Sequence, residues 1–273
     1  MADYEELDSM QEFDIFDGTF ESIKDNLFMR LFNKHNLPLN KELESVPHIN
    51  YADLTMTFSI EEKTYFDGRR GVYSYMITND DMKLLNVTKE TLKDIAMKNL
   101  TNSNSVKIET INQHIFRSNV FSPLTRLPND SIATVQIKGP ETESFPSSIF
   151  NANPFGPIPI MNDSKKDTKD VLLISNRTQT FASVNFVMPN VLSEVYSKFN
   201  ENFYIVPSSV HELICIKSSY ATNNGEKTEK ETIEELEDMV EQINDVLHED
   251  TSNILSYNIY YHMHDDNCTM IVT

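Results

Sequence analysis

The sequence predicts an α+β fold: a largely antiparallel sheet with helices packed on it. Three observations carry that expectation. Strand-like runs come in neighbouring pairs, as at 54–60 and 72–78 on either side of Asp67-Gly68-Arg69-Arg70-Gly71. Two longer segments, 88–100 and 228–247, space their apolar residues as helices do and start on capping residues. The order expected in the second half is ββαββαβ, which alternates hairpins with helices.

Taken in order, residues 1–18 mix acids with Tyr4, Leu7, Met10, Phe13, Ile15 and Phe16. Such a segment buries little alone and is expected to be a mobile arm, or one that orders on a partner. From Phe20 to Phe32 the apolar residues recur at helical spacing, although 27–32 reads equally well as a buried strand. Asn40 is placed to cap a short turn before Pro47. Leu54, Met56, Phe58 and Ile60 alternate with Thr55, Thr57 and Ser59, which predicts a strand with one buried face. Residues 72–78 return as its hairpin partner. Asn79 or Asp80 starts a short helix to Leu85. Thr88 caps the next, to about Leu100, with Val87 and Leu92 spaced as a hydrophobic staple. Residues 106–116 read as helical or extended, and 132–138 as a short strand. Five prolines (140, 146, 154, 157 and 159) lie between Gly139 and Lys169, the natural boundary between halves or a long surface loop.

In the second half, Val171-Leu172-Leu173-Ile174 is a fully apolar strand and Phe181–Val187 its expected return. Pro189 suits a helix start, with Val191, Leu192, Val195, Tyr196 and Phe199 on one face. Residues 203–206 and 210–216 read as two buried strands. A polar loop over 218–227 leads to Thr228 and Glu231, which have capping-box spacing and open a helix to about Leu247. Residues 254–262 are expected to form the last strand. The chain thus divides into an acidic flexible arm (1–18), an N-terminal α+β half (19–138), a Pro-rich linker or surface loop (139–169), a C-terminal α+β half (170–263) and a tail (264–273).

The composition narrows the function. With 273 residues, sixteen Phe and eleven Tyr, the chain can build a sizeable core. It holds only six Gly and neither GxGxxG nor GxxxxGK[ST], so no cofactor is expected. Cys215 and Cys268 form no disulfide framework and fit a reducing cytoplasm. The acidic N-terminus differs from the basic start of a signal peptide, and no apolar run reaches membrane-spanning length. A soluble cytoplasmic protein with no membrane contact is expected.

The net charge of −19 is concentrated. Residues 1–23 hold eight acids and no Lys or Arg, and residues 226–250 hold eleven acids against Lys227 and Lys230. That surface repels phosphate backbones, so direct nucleic-acid binding is not expected. Solvation explains such charge simply. The sharper expectation is a partner protein with a basic, nucleic-acid-binding surface, met by Glu234, Glu235, Glu237, Asp238, Glu241 and Asp245.

Two clusters invite chemistry. Pro207-Ser208-Ser209-Val210-His211-Glu212 places Ser, His and Glu side by side between two apolar runs. A hydrolase centred on Ser209 and His211, with Ser208 and Glu212 nearby, is one reading. The other is a tight turn whose hydroxyls satisfy local amides. No GxSxG elbow is present, and along an extended strand Glu212 points away from Ser209 and His211. Near the end, His262 and His264 share a strand face and could hold a metal with Asp266, or with His248 or Cys268. His48 and Asp53 flank an apolar strand and are expected to hydrogen-bond each other. Asn33, Asn36, Asn79, Asn99, Asn176 and Asn244 lie near element ends, where turn and cap duties suit asparagine.

Several fragments, in order, carry a resemblance: Phe32-Asn33-Lys34-His35-Asn36, Val46-Pro47-His48, Asp53-Leu54, Asn79, Val87-Thr88 and Ala96-Met97-Lys98-Asn99. After them come Leu173-Ile174-Ser175-Asn176, the Pro207–Leu213 run, Met239-Val240 with Asn244, and Leu255-Ser256 with Tyr260. Together they resemble a bacterial family of unknown function, numbered 5688, over residues 24–263. The resemblance implies a bacterial source, often a mobile element, and no established activity or cofactor. Two departures stand out: the acidic arm replaces a longer N-terminal region, and Phe181-Ala182-Ser183 stands where a Gly-Ala pair is usual. The sequence thus points to a non-enzymatic interaction or regulatory module, with the hydrolase and metal-binding readings as alternatives.

Overall fold

The computed structural model describes residues 3–6, 9–13, 15–38, 41–66, 69–103, 106–111, 113, 169–177, 180–246, 251–265 and 268–272. The expected cap Asn40, the strand at 132–138 and nearly all of the Pro-rich stretch lie outside them.

Residues expected in a mobile arm take defined places. β1 (Asp3–Glu6) pairs in parallel with a later strand, and Met10 and Phe13 are 1% and 3% exposed within the main core. A short helix, α1 (Phe20–Ile23), leads into β2 (Leu27–Asn33), so the ambiguous run resolves as a buried strand. β3 (His48–Tyr51), β4 (Leu54–Phe66) and β5 (Arg69–Met76) complete a sheet of order β1-β5-β4-β2, with β3 also on β4. β2, β3 and β5 all run antiparallel to β4.

The alternation in β4 predicted one buried face, yet both are buried. Leu54, Phe58 and Ile60 are fully buried, and so are Thr55, Thr57 and Ser59. The reason is position: β4 is central in its sheet, and its hydroxyl face lies on the side where Arg30 and Phe32 meet Phe181. On the opposite side pack α2 (Asn79–Leu85) and α3 (Lys89–Asn102), bringing Leu85, Leu92, Ala96 and Leu100 to the core. α2 starts at Asn79 and ends at Leu85 as expected, with Thr78 as its cap in a capping box with Asp81. Thr88 caps α3 as expected, accepting from the Thr91 amide.

The second sheet has six strands in the order β11-β10-β8-β9-β7-β6, all antiparallel. Its members are β6 (Val106–Thr110), β7 (Val171–Asn176), β8 (Phe203–Ser209), β9 (Glu212–Lys217), β10 (Ile259–Met263) and β11 (Cys268–Val272). Three expectations fail here. Phe181–Val187 is not a strand: Phe181 takes φ +51° and Ala182–Val187 form a 3-10 helix. Its place beside β7 is taken by β6, from across the Pro-rich stretch. The strand expected over 254–262 is shorter, and it is not last, because 268–272 of the expected tail adds β11. The described order from β6 onward is therefore ββαββαββ, counting the two longer helices, and the α+β class stands.

Those helices are α4 (Pro189–Phe199), with Pro189 in its first turn, and α6 (Glu229–Val246); the four-residue α5 (Ser218–Ala221) lies between them. α6 opens on the expected box, the Thr228 amide donating to Glu231 Oε2 at 2.8 Å and the Glu231 amide to Thr228 Oγ1 at 3.3 Å. Both faces of the second sheet are covered, which explains its uninterrupted apolar runs. Tyr204, Val206, Leu173, Ile214 and Ile216 pack under Leu236, Met239, Val240 and Ile243 of α6. Phe203, Ile205, Leu172, Ile174, Leu213 and Cys215 join the core of the first sheet. One buried cluster thus draws on both halves of the chain.

Candidate functional site

The Pro207–Glu212 run is a hairpin with Val210 and His211 at its tip. Pro207 does not end the strand as its ring suggests; β8 continues to Ser209, and a register shift between Pro207 and Ser209 accommodates it. Neither tip residue has a positive φ, so the turn is not of the type I′ that matches strand twist, and the bulge absorbs the difference.

Each polar side chain has a definite place. Ser209 is 7% exposed and its Oγ accepts from the His211 amide at 3.0 Å. Ser208 is 2% exposed, and Glu212 is half-buried at the start of β9. The His211 ring takes the Phe181 amide on Nδ1 at 3.1 Å and faces Asn253 Oδ1 with Nε2 at 3.0 Å. An amide can only donate, so Nδ1 is the acceptor and Nε2 carries the proton. Both nitrogens thus serve the flanking segments instead of Ser209. Those segments close the clasp further: Ser183 Oγ donates to the Val210 carbonyl at 2.6 Å, the Ala182 amide to the His211 carbonyl at 3.1 Å, and the Val210 amide to the Asn253 carbonyl at 3.0 Å. Phe181 then reaches the first sheet, its ring 3.7 Å from the Arg30 guanidinium and edge-on to Phe32. The Ser, His and Glu of the run fill a turn where two sheets meet.

His48 and Asp53 do not pair. His48 Nδ1 lies 3.0 Å from the Val46 carbonyl. Asp53 instead accepts from Tyr260 Oη on Oδ1 (2.7 Å) and from Ser256 Oγ and Asn258 Nδ2 on Oδ2 (2.7 and 2.9 Å). This carboxylate ties the β3–β4 turn to the entry of β10. Burial, and then the Asp53 carboxylate, push the Tyr260 phenol far above its usual range.

His262 and His264 lie together at the end of β10, their ring centroids 6.4 Å apart. Asp266 and His248 fall outside the described residues. Among the described residues, no group of three or more His, Cys, Asp or Glu could hold a metal.

The acids named from the sequence line α6. Glu234, Glu237, Asp238, Glu241 and Asp245 are exposed, opposite the buried Leu236, Met239, Val240 and Ile243. Glu235 is half-buried and paired with Lys227, and Lys230 sits 3.3 Å from Glu234. None of these acids lines the cleft of about 380 Å³ between β3 and the start of α3, whose walls are His48, Ile49, Asn50, Lys89, Glu90 and Lys93.

Two features escaped the sequence reading. Arg30 is fully buried, its Nε and Nη2 donating to Glu61 Oε1 at 3.2 and 3.1 Å. A lone Arg inside an apolar run was the available signal, since buried charge requires a partner. Asparagines near element ends also do more than cap: Asn99 Nδ2 donates to the Lys24 and Leu27 carbonyls, and Asn244 Nδ2 to that of Ser256.

No helix among the described residues is long and apolar enough to cross a membrane. No curated protein and no solved structure matches the chain. The family model of the resemblance does match, over residues 2–264, reaching back through the acidic segment that was expected to lie outside it. The chain belongs to the family of unknown function DUF5688.

Proposed function

We propose that this protein is a non-enzymatic interaction or regulatory module, carried on a mobile element, and that the outer face of α6 docks a protein with a basic, nucleic-acid-binding surface. The observation that carries it is the division of α6 into two faces. Its inner stripe packs on the second sheet, while Glu234, Glu237, Asp238 and Glu241 stand in solvent, with Lys230 3.3 Å from Glu234. Acids on a rigid helix form a fixed row of negative charge, which speeds encounter with a basic surface and sets its register. The same row repels nucleic acid itself.

The test is capture of partners from extracts of the source cell, with full-length protein at low and high salt. The wild type should retain a basic protein at about 0.1 M salt and release it near 0.5 M, where the Debye length is about half as long. A folded variant with Glu234, Glu237, Asp238 and Glu241 all changed to Lys should retain none of it. Retention indifferent to both salt and charge reversal removes the proposal.

A further inference from the structure

The end of β10 holds two imidazoles whose hydrogen bonding is incomplete. His262 is 1% exposed, and its Nδ1 lies 2.9 Å from the Thr269 hydroxyl across the β10–β11 pair. Its Nε2 is buried and has no hydrogen-bond partner among the described residues. The same holds for Nδ1 of His264, the second residue on from His262. Burying two polar atoms without partners is costly, so the arrangement calls for an occupant.

We propose that His262 Nε2 and His264 Nδ1 together bind one divalent transition-metal ion of the imidazole-preferring class, such as Cu²⁺, Ni²⁺ or Zn²⁺.

The surroundings suit that role. Thr269 Oγ1 can accept a hydrogen bond from His262 Nδ1–H, which leaves Nε2 with its lone pair; metal-binding histidines are oriented by such a bond to the far nitrogen. The ring of His264 stacks on Tyr196, 3.8 Å away and 14° from parallel, and its backbone amide donates to Asn202 Oδ1 at 3.1 Å. Phe203 packs against the ring of His262, 5.0 Å between centroids.

The spacing fits one ion. Two metal–nitrogen bonds of about 2.1 Å and two ring radii span roughly 6.5 Å when collinear, against the 6.4 Å observed. A tetrahedral ion draws the rings about 1 Å closer, a shift that the half-buried His264 can make by rotation. No third His, Cys, Asp or Glu of the described residues joins them; with water in the remaining positions, the ion would exchange readily. With two imidazoles and water as ligands, the site should follow the order Cu²⁺ above Ni²⁺ and Zn²⁺, and ignore Mg²⁺.

The experiment is equilibrium dialysis of untagged, chelator-treated full-length protein against each of those four ions. The expected result is one equivalent of Cu²⁺, with Ni²⁺ and Zn²⁺ weaker, and at least a ten-fold loss of affinity in His264→Gln. Because His264 is half-buried, that variant should keep the fold, which circular dichroism checks. Should it unfold, imidazole ¹⁵N resonances of the wild type decide instead: Zn²⁺ must move those of His262 and His264 together at one equivalent. Absence of binding, a loss under ten-fold in a folded His264→Gln, or resonances that do not move overturns the site.

Discussion

Replacing His211 by Ala tests the hairpin clasp residue by residue. The substitution removes the acceptor for the Phe181 amide, the donor facing Asn253 Oδ1 and the edge contact with the Phe181 ring, 5.0 Å between centroids. Each hydrogen bond contributes about 1 kcal/mol net, and an aromatic edge contact roughly 0.5–1.5. A half-buried ring recovers little of this from solvent, so His211→Ala should cost about 2–4 kcal/mol. His211→Asn provides a built-in control, since its amide oxygen can stand near the Nδ1 position and keep the Phe181 amide paired. It should cost about half as much. The assay is urea unfolding at pH 7.5, read as a shift in midpoint at unchanged slope. A loss below about 1 kcal/mol for His211→Ala, or equal losses for both variants, would refute the clasp.

Three further outcomes follow from the same hydrogen-bond inventory. Tyr260→Phe should cost about 1.5–3 kcal/mol, because its hydroxyl serves the Asp53 carboxylate. Combined with Asp53→Ala it should show a coupling of at least about 1 kcal/mol in a double-mutant cycle, and strict additivity would contradict the tie. Thr57→Val should be neutral or stabilising in thermal unfolding, since the Thr57 hydroxyl is fully buried with no partner among the described residues. A loss above about 1 kcal/mol would mean that the hydroxyl is bonded. Stability should also fall at both ends of the pH range. Tyr260 is raised above its ordinary 10.0, so its contribution is complete below pH 10 and fades as the unfolded chain ionises above it. His262 is lowered from 6.5, so its contribution is present above pH 6.5 and fades as the unfolded chain takes up a proton below it. Each group adds a slope of up to about 1.4 kcal/mol per pH unit. Tyr260→Phe should flatten the alkaline limb, and an unchanged limb would sink that assignment.

Local signals were the legible part of the sequence. The capping residues Thr88 and Thr228, Pro189 in the first turn of α4, and the double-sided apolar runs of β7 and β8 are each readable from a few neighbouring residues. What depends on distant segments was not. The alternation in 54–60 gives the period of β4 but not that its hydroxyl face would be covered. Phe181–Val187 has the composition of a strand, yet Phe181 adopts a left-handed φ and lies against Arg30 and His211, contacts made across more than twenty-five residues of chain. β11 follows a His-Asp-rich turn that reads as a fraying end, and only its pairing with β10 makes it a strand. At the candidate site, the turn was legible from Pro207 and the two serines. The clasp was not, because Phe181, Ser183 and Asn253 come from elsewhere. For Asp53, proximity in sequence favours His48 as partner, while the fold brings Ser256 and Tyr260.

If the outer face of α6 docks the partner, as proposed, and the Ser-His run only closes its turn, substitutions at the two places separate in their effect on binding. The most direct measurement compares partner capture by two folded variants at equal concentration: Ser209→Ala with His211→Asn, and the four-fold Lys replacement on α6. Undiminished capture by the hairpin variant together with loss of capture by the helix variant is the expected result. The reverse pattern, with the hairpin variant losing the partner while the helix variant keeps it, would contradict the account.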